Sequence, residues 1–119
     1  MKKIVVIDDE PDIVDLLQAF LETQGYQAFT ATNARTGMDI IKEVKPDLVL
    51  LDVIMPQVSG LECLQAIKQI FPEMIVIVVS GLQDESIAKE AIELGAYDYI
   101  TKPFDLSRLK SNLLDRIFS

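Results

Sequence analysis

Two patterns alternate along this chain: short unbroken aliphatic runs, and longer segments whose apolar positions recur every three or four residues. The unbroken runs are Ile4-Val5-Val6-Ile7, Leu48-Val49-Leu50-Leu51 and the stretch from Met74 to Val79. A run without polar alternation marks a strand covered on both faces, as the central strands of parallel sheets are. Gln27 to Ala31 and Tyr97-Asp98-Tyr99-Ile100 read as two further, shorter strands. The helical spacings lie between them. Ile13, Leu16, Leu17, Phe20 and Leu21 follow Pro11, which suits a first helical position, and Gly25 stops that helix. Met38, Ile41 and Val44 mark a helix from Ala34 to Val44, closed by Pro46. Ser59 caps a helix carrying Leu61, Leu64, Ile67 and Ile70, and Asp84 caps one running through Leu94 to Gly95. Asp105 caps the last, with Leu106, Leu109, Leu113 and Ile117 facing inward. Five strands alternating with five helices through short loops predict an α/β fold, a doubly wound five-stranded parallel sheet with helices on both faces. No linker or low-complexity run interrupts the 119 residues, so a single domain over 1–119 is expected.

Composition narrows the chemistry. Half the residues are apolar and a quarter charged, an ordinary globular balance. The formal net charge of −8 argues against a nucleic-acid-binding surface and favours a basic partner or a bound cation. Cys63 is the only cysteine, which excludes an internal disulfide and fits a reducing cytoplasm. Four apolar residues between Lys3 and Asp8 are too few for a signal peptide, and no stretch approaches a membrane span. Histidine is absent altogether, which removes Ser-His-Asp triads, Cys-His pairs and most zinc sites.

Parallel sheets place their ligand chemistry beyond the carboxyl ends of the strands. There the first strand supplies Asp8 and Asp9, the third Asp52, the fourth Ser80 and the fifth Lys102. Each has a local explanation when taken singly. Asp8-Asp9-Glu10 ahead of a helix favours the helix dipole and supplies a cap. Asp52 ends a strand, Ser80 precedes a glycine in a turn, and Lys102 is a solvated side chain before Pro103. Together they meet in one crevice. Two carboxylates ~5 Å apart repel by roughly 3 kcal/mol at an effective dielectric near 20. Three in one cleft therefore raise their pKa values or capture a cation, and an all-oxygen donor set selects a hard divalent ion, Mg²⁺ first. The cation and Lys102 together reverse the repulsion that an acidic cleft exerts on a phosphate. This is a parts list for phosphoryl transfer onto a carboxylate, with Asp52 as nucleophile and Ser80 supplying a neutral hydroxyl.

Asp8-Asp9, Asp52 with Met55-Pro56 and Gly60, Ser80, Tyr99 and Lys102-Pro103-Phe104 occur in an order and spacing that resembles the receiver domain of two-component response regulators. The resemblance spans essentially the whole chain and implies the flavodoxin-like receiver fold. It further implies that Asp52 is the phosphorylation site and takes its phosphoryl group from a sensor histidine kinase or phosphotransfer protein. Asp9 and Asp52 would ligate Mg²⁺ with the backbone carbonyl of Ile54, and Asp8 would hold a metal-bound water. Lys102 would pair with phosphoryl oxygens, and the bond to Pro103 would be cis. Ser80 and Tyr99 would act as the switch, changing the partner-binding face built from the fourth helix, fifth strand and fifth helix. The domain would catalyse its own phosphorylation and slow self-dephosphorylation while serving as a signal rather than as a metabolic enzyme. Its partners would be the kinase and an output domain or downstream protein, in the cytoplasm, with no nucleic acid or membrane bound directly. Ile54 and Leu82, two residues after Asp52 and Ser80, would flank the phosphoryl group with apolar surface.

Other readings fit less well. A haloacid-dehalogenase-like phosphatase also uses a strand-end aspartate but wants a second Asp two residues on, where this chain has Ile54. A flavodoxin-like flavin site needs a hydroxyl- and Gly-rich loop after the first strand, where Asp8-Asp9-Glu10 would repel the phosphate. The Rossmann Gly-x-Gly-x-x-Gly is missing. A receiver-like module that binds a partner without being phosphorylated would not need every acidic and basic position filled, as they are here.

Overall fold

The computed structural model describes residues 1–55, 59–80 and 85–118. Five strands, β1 (Lys3–Ile7), β2 (Gln27–Ala31), β3 (Leu48–Asp52), β4 (Val76–Ser80) and β5 (Asp98–Thr101), form one parallel sheet in the order β2-β1-β3-β4-β5. Between them run α1 (Pro11–Thr23), α2 (Ala34–Val44), α3 (Gly60–Ile70) and α4 (Glu85–Glu93). A fifth helix, α5, follows β5 in three continuous segments: α-helical Leu106–Leu109, π-helical Lys110–Leu114 and α-helical Asp115–Ile117. The doubly wound (βα)5 architecture anticipated from the alternating patterns is the one observed.

Strand periodicity assigns the two faces. Val5, Ile7, Val49, Leu51, Val76 and Val78 pack against Ile41 of α2, Leu64 and Ile67 of α3, and Ala91 of α4. Their neighbours Ile4, Val6, Leu48, Leu50 and Ile77 pack on the other face against Leu17 and Leu21 of α1 and Leu109, Leu113 and Leu114 of α5. Because both faces are covered, every residue of β3 and β4 is buried, and no polar alternation appears in them.

Boundaries shift at several places. β4 begins at Val76 because Met74 still closes a turn on the Phe71 carbonyl, and β5 begins at Asp98, leaving Tyr97 half-exposed. Leu16 is exposed where the spacing placed it inward; Val14, Leu17 and Leu21 form the buried stripe, and Leu16 lies about 100° around the helix from Leu17. Ile70, at the last position of α3, is likewise exposed. Ser59 and Asp105 cap as expected, accepting from the amides of Leu61 and Ser107. Gly25 and Gly95 follow their helices with φ of +89° and +103°, the left-handed geometry that ends a helix most cheaply at glycine. The Asp84 cap, Pro56, Gly81 and Leu82 lie outside the described residues.

The π-helical turn in α5 explains a burial that the spacing missed. Leu109 and Leu113 belong to the anticipated stripe, whereas Leu114 lies well off it in a regular α-helix. A π turn winds fewer degrees per residue and rotates Leu114 back onto the core, where it is fully buried.

Candidate functional site

β1 and β3 are neighbours, and the helices that follow them, α1 and α3, cover opposite faces of the sheet, so a crevice opens between their carboxyl ends. Register places the residues around it. Ile7 stands opposite Leu51 and Asp52 opposite Val79, so Asp8, Asp52 and Ser80 terminate adjacent strands. Ser80 stands opposite Thr101, and the Lys102 amide donates to the Ser80 carbonyl at 2.6 Å, which ties the exit of β5 to that of β4.

The backbone beyond Asp52 is held tightly. Asp52 Oδ1 accepts from the Ile54 amide at 2.9 Å, folding the chain sharply away from the strand. The Gly60 amide then donates to the Val53 carbonyl at 3.1 Å. A Cβ at Gly60 would overlap the Val53 Cα and sit 2.6 Å from the Asp52 carbonyl oxygen, so α3 can start here only with glycine. Asp8 makes the matching arrangement on β1, its Oδ1 accepting from the Glu10 amide at 2.9 Å.

Lys102 joins these elements. Its Nζ lies 2.7 Å from Asp8 Oδ2, 3.0 Å from Glu10 Oε1 and 3.2 Å from Asp52 Oδ2. Asp8 and Asp52 are buried, whereas Glu10 is 59% exposed. Burial pushes the Asp52 carboxyl up to about 6; the Ile54 amide opposes the rise, the Asp8 charge adds to it, and Lys102 counters both. Burial works against the charge on Lys102, but its bonds to Asp8 and Glu10 and the nearby Asp52 outweigh this and hold it above the ordinary lysine range. Among the described residues, no buried side-chain nitrogen or oxygen lacks a hydrogen-bond partner.

Asp8, Asp9, Glu10 and Asp52 each present an oxygen within 4.8 Å of the others. Four carboxylates without a nitrogen or sulfur donor suit a hard divalent cation. Asp8, Asp9, Asp52, Ser80 and Lys102 thus all stand at the carboxyl end of the sheet, with Ile54 two residues after Asp52. The Lys102–Pro103 bond is cis. Tyr99 lies on β5 and is 40% exposed. Glu10 is the residue that the sequence did not single out. Its position in the acidic run was plain, but a cap role and a site role look alike until the partner 92 residues away is known.

A family model for the response regulator receiver domain matches residues 4–114. Solved structures agree in fold. A CheY-like receiver domain protein from Methanospirillum hungatei JF-1 is 28% identical, with a TM-score of 0.93, covering 98% of this chain and 94% of that one. The beryllofluoride-activated DrrB receiver domain is 32% identical, with a TM-score of 0.89 and coverage of 98% and 97%. NtrX from Brucella abortus, solved with ATP, is 37% identical with a TM-score of 0.91; the match covers 98% of this chain but 26% of that longer one.

Proposed function

The chain belongs to the response regulator receiver family, whose members carry phosphorylation signals in two-component systems, and from that premise we propose that Asp52 is its phosphoacceptor. The observation that carries this reading is the position of the Asp52 carboxylate: buried at the end of a central strand, between an acidic pair and a lysine ammonium. With a carboxyl that titrates near 6, Asp52 is mostly ionised at neutral pH and able to act as a nucleophile. As the family implies, the donor would be a phosphohistidine of a sensor kinase or phosphotransfer protein, a scheme that a chain without histidine of its own fits. The N–P bond breaks as the P–O bond to Asp52 forms, and the imidazole leaves with a proton from solvent.

Asp8, Asp9 and Asp52, with the Ile54 carbonyl, would hold Mg²⁺. When bound, that ion offsets the carboxylate charge and stabilises the negative charge on the phosphoryl oxygens. Lys102 orients and neutralises a phosphoryl oxygen. Ser80, at the end of β4, offers a hydroxyl to another and so registers the modification. The Lys102–Ser80 backbone bond links that change to β5 and to Tyr99. The partner-binding face of α4, β5 and α5 then alters its affinity for an output domain or a downstream protein. A cytoplasmic setting suits such a circuit; among the described residues no helix is long and apolar enough to cross a membrane. The whole of 1–119 acts as one receiver unit.

Labelling with acetyl phosphate in Mg²⁺, followed by peptide mapping, should place the phosphoryl group on Asp52 alone. Asp8→Asn should weaken Mg²⁺ binding without moving the label. A phosphopeptide containing Asp8, Asp9 or a serine, and not Asp52, would refute the assignment.

A further inference from the structure

Three carboxylates share one ammonium in this site, and they are not equivalent. A lysine ammonium has three N–H donors. Lys102 has three oxygens within 3.2 Å, one each from Asp8, Glu10 and Asp52, so its donors are fully used. A phosphoryl oxygen arriving at Asp52 must therefore take a donor from one of them. Asp8 and Asp52 are 2% and 3% exposed, and a buried carboxylate stripped of its partner is left with an uncompensated charge. Glu10 is 59% exposed, so water can replace the ammonium there at little cost.

A second observation concerns the orientation of Glu10. It occupies the N-cap of α1, where a side-chain oxygen commonly accepts from the first helical amides. Its side chain makes no such bond and reaches to Lys102 instead. The cap role that explains an acidic residue before a helix is therefore absent here. Resting on the receiver reading above, the geometry points to Glu10 as a positioning residue: an exposed carboxylate that keeps on Lys102 the donor that a phosphoryl oxygen takes over. Glu10 holds the ammonium at the open side of the cleft before phosphorylation and releases it afterwards. Asp8, from the buried side, anchors the same ammonium.

The test compares wild type, Glu10→Gln and Asp12→Asn in labelling by acetyl phosphate at saturating Mg²⁺. Both positions are exposed, so neither substitution threatens folding, and Asp12 lies in the first turn of α1. Removing the competing carboxylate should speed labelling about two- to fivefold in Glu10→Gln, the scale of an exposed ion pair, with Asp12→Asn at the wild-type rate. In wild type, the carboxyl carbon resonance of Glu10 should move to the position of a free glutamate when beryllofluoride and Mg²⁺ bind. Equal acceleration in both variants would reveal general repulsion of the anionic donor and overturn the proposal. So would a Glu10 resonance that beryllofluoride leaves unmoved. Failure of wild type itself to be labelled would instead overturn the receiver reading on which the proposal stands.

Discussion

The reactivity proposed for Asp52 has its origin in an unfavourable position. A carboxylate at the end of a fully buried strand loses hydration, and the Ile54 amide and Lys102 restore only part of what is lost. The folded protein therefore binds a proton at Asp52 up to about pH 6, against 3.8 for an ordinary aspartate. Since the folded state binds more protons in that interval, stability falls as pH rises from about 4 to about 6. Asp52→Asn removes this dependence while Lys102 retains Asp8 and Glu10. In metal-free buffer the variant should melt near the wild-type temperature at pH 4 and distinctly above it at pH 7. Thermal melts across that range decide the matter; a difference that does not change with pH would contradict the cause assigned here. Ile54, two residues beyond Asp52, is 42% exposed and offers no hydrogen bond from its side chain. Hydrolysis of a phosphoaspartate requires an aligned water, so Ile54→Asn or Ile54→Glu should release phosphate roughly tenfold faster, worth one positioning contact. An unchanged or slower release, followed in Mg²⁺, would remove Ile54 from the control of signal lifetime.

In the proposed switch, the message leaves the site through whole elements. β4 and β5 are coupled at their exits by the Lys102 amide on the Ser80 carbonyl, and Tyr99, partly exposed, sits three residues before that bond. Spectra of the free and the beryllofluoride-bound protein should therefore differ most from Ser80 to Lys102, Tyr99 included. Changes confined to the residues around Asp8 and Asp52 would show that β5 takes no part. Much at this scale was legible in the chain. Unbroken aliphatic runs revealed the central strands because burial on both faces erases alternation, as in β3 and β4. Helix interiors were harder. Leu16 and Ile70 fit the spacing yet face solvent, since periodicity gives a stripe but not its centre. The π turn in α5, which brings Leu114 inward, has no signature in apolar spacing alone.

For the whole molecule, the legible part was the set of strand ends. A parallel sheet brings the carboxyl ends of its strands to one edge, so Asp8, Asp9, Asp52, Ser80 and Lys102 could be placed together before any distance was known. What the chain could not reveal was how the charges divide among themselves. That Lys102 serves Asp8 and Glu10 as well as Asp52 follows from three-dimensional distances, and no spacing encodes it. This assembly is proposed to make Asp52 a metal-assisted phosphoacceptor. Intact-mass analysis after incubation with acetyl phosphate tests it most directly, using wild type with Mg²⁺, wild type with a chelator, and Asp52→Asn with Mg²⁺. One added phosphoryl group is expected in the first sample and none in the other two. An unmodified wild type in Mg²⁺, or an Asp52→Asn protein labelled to the same extent, would contradict it.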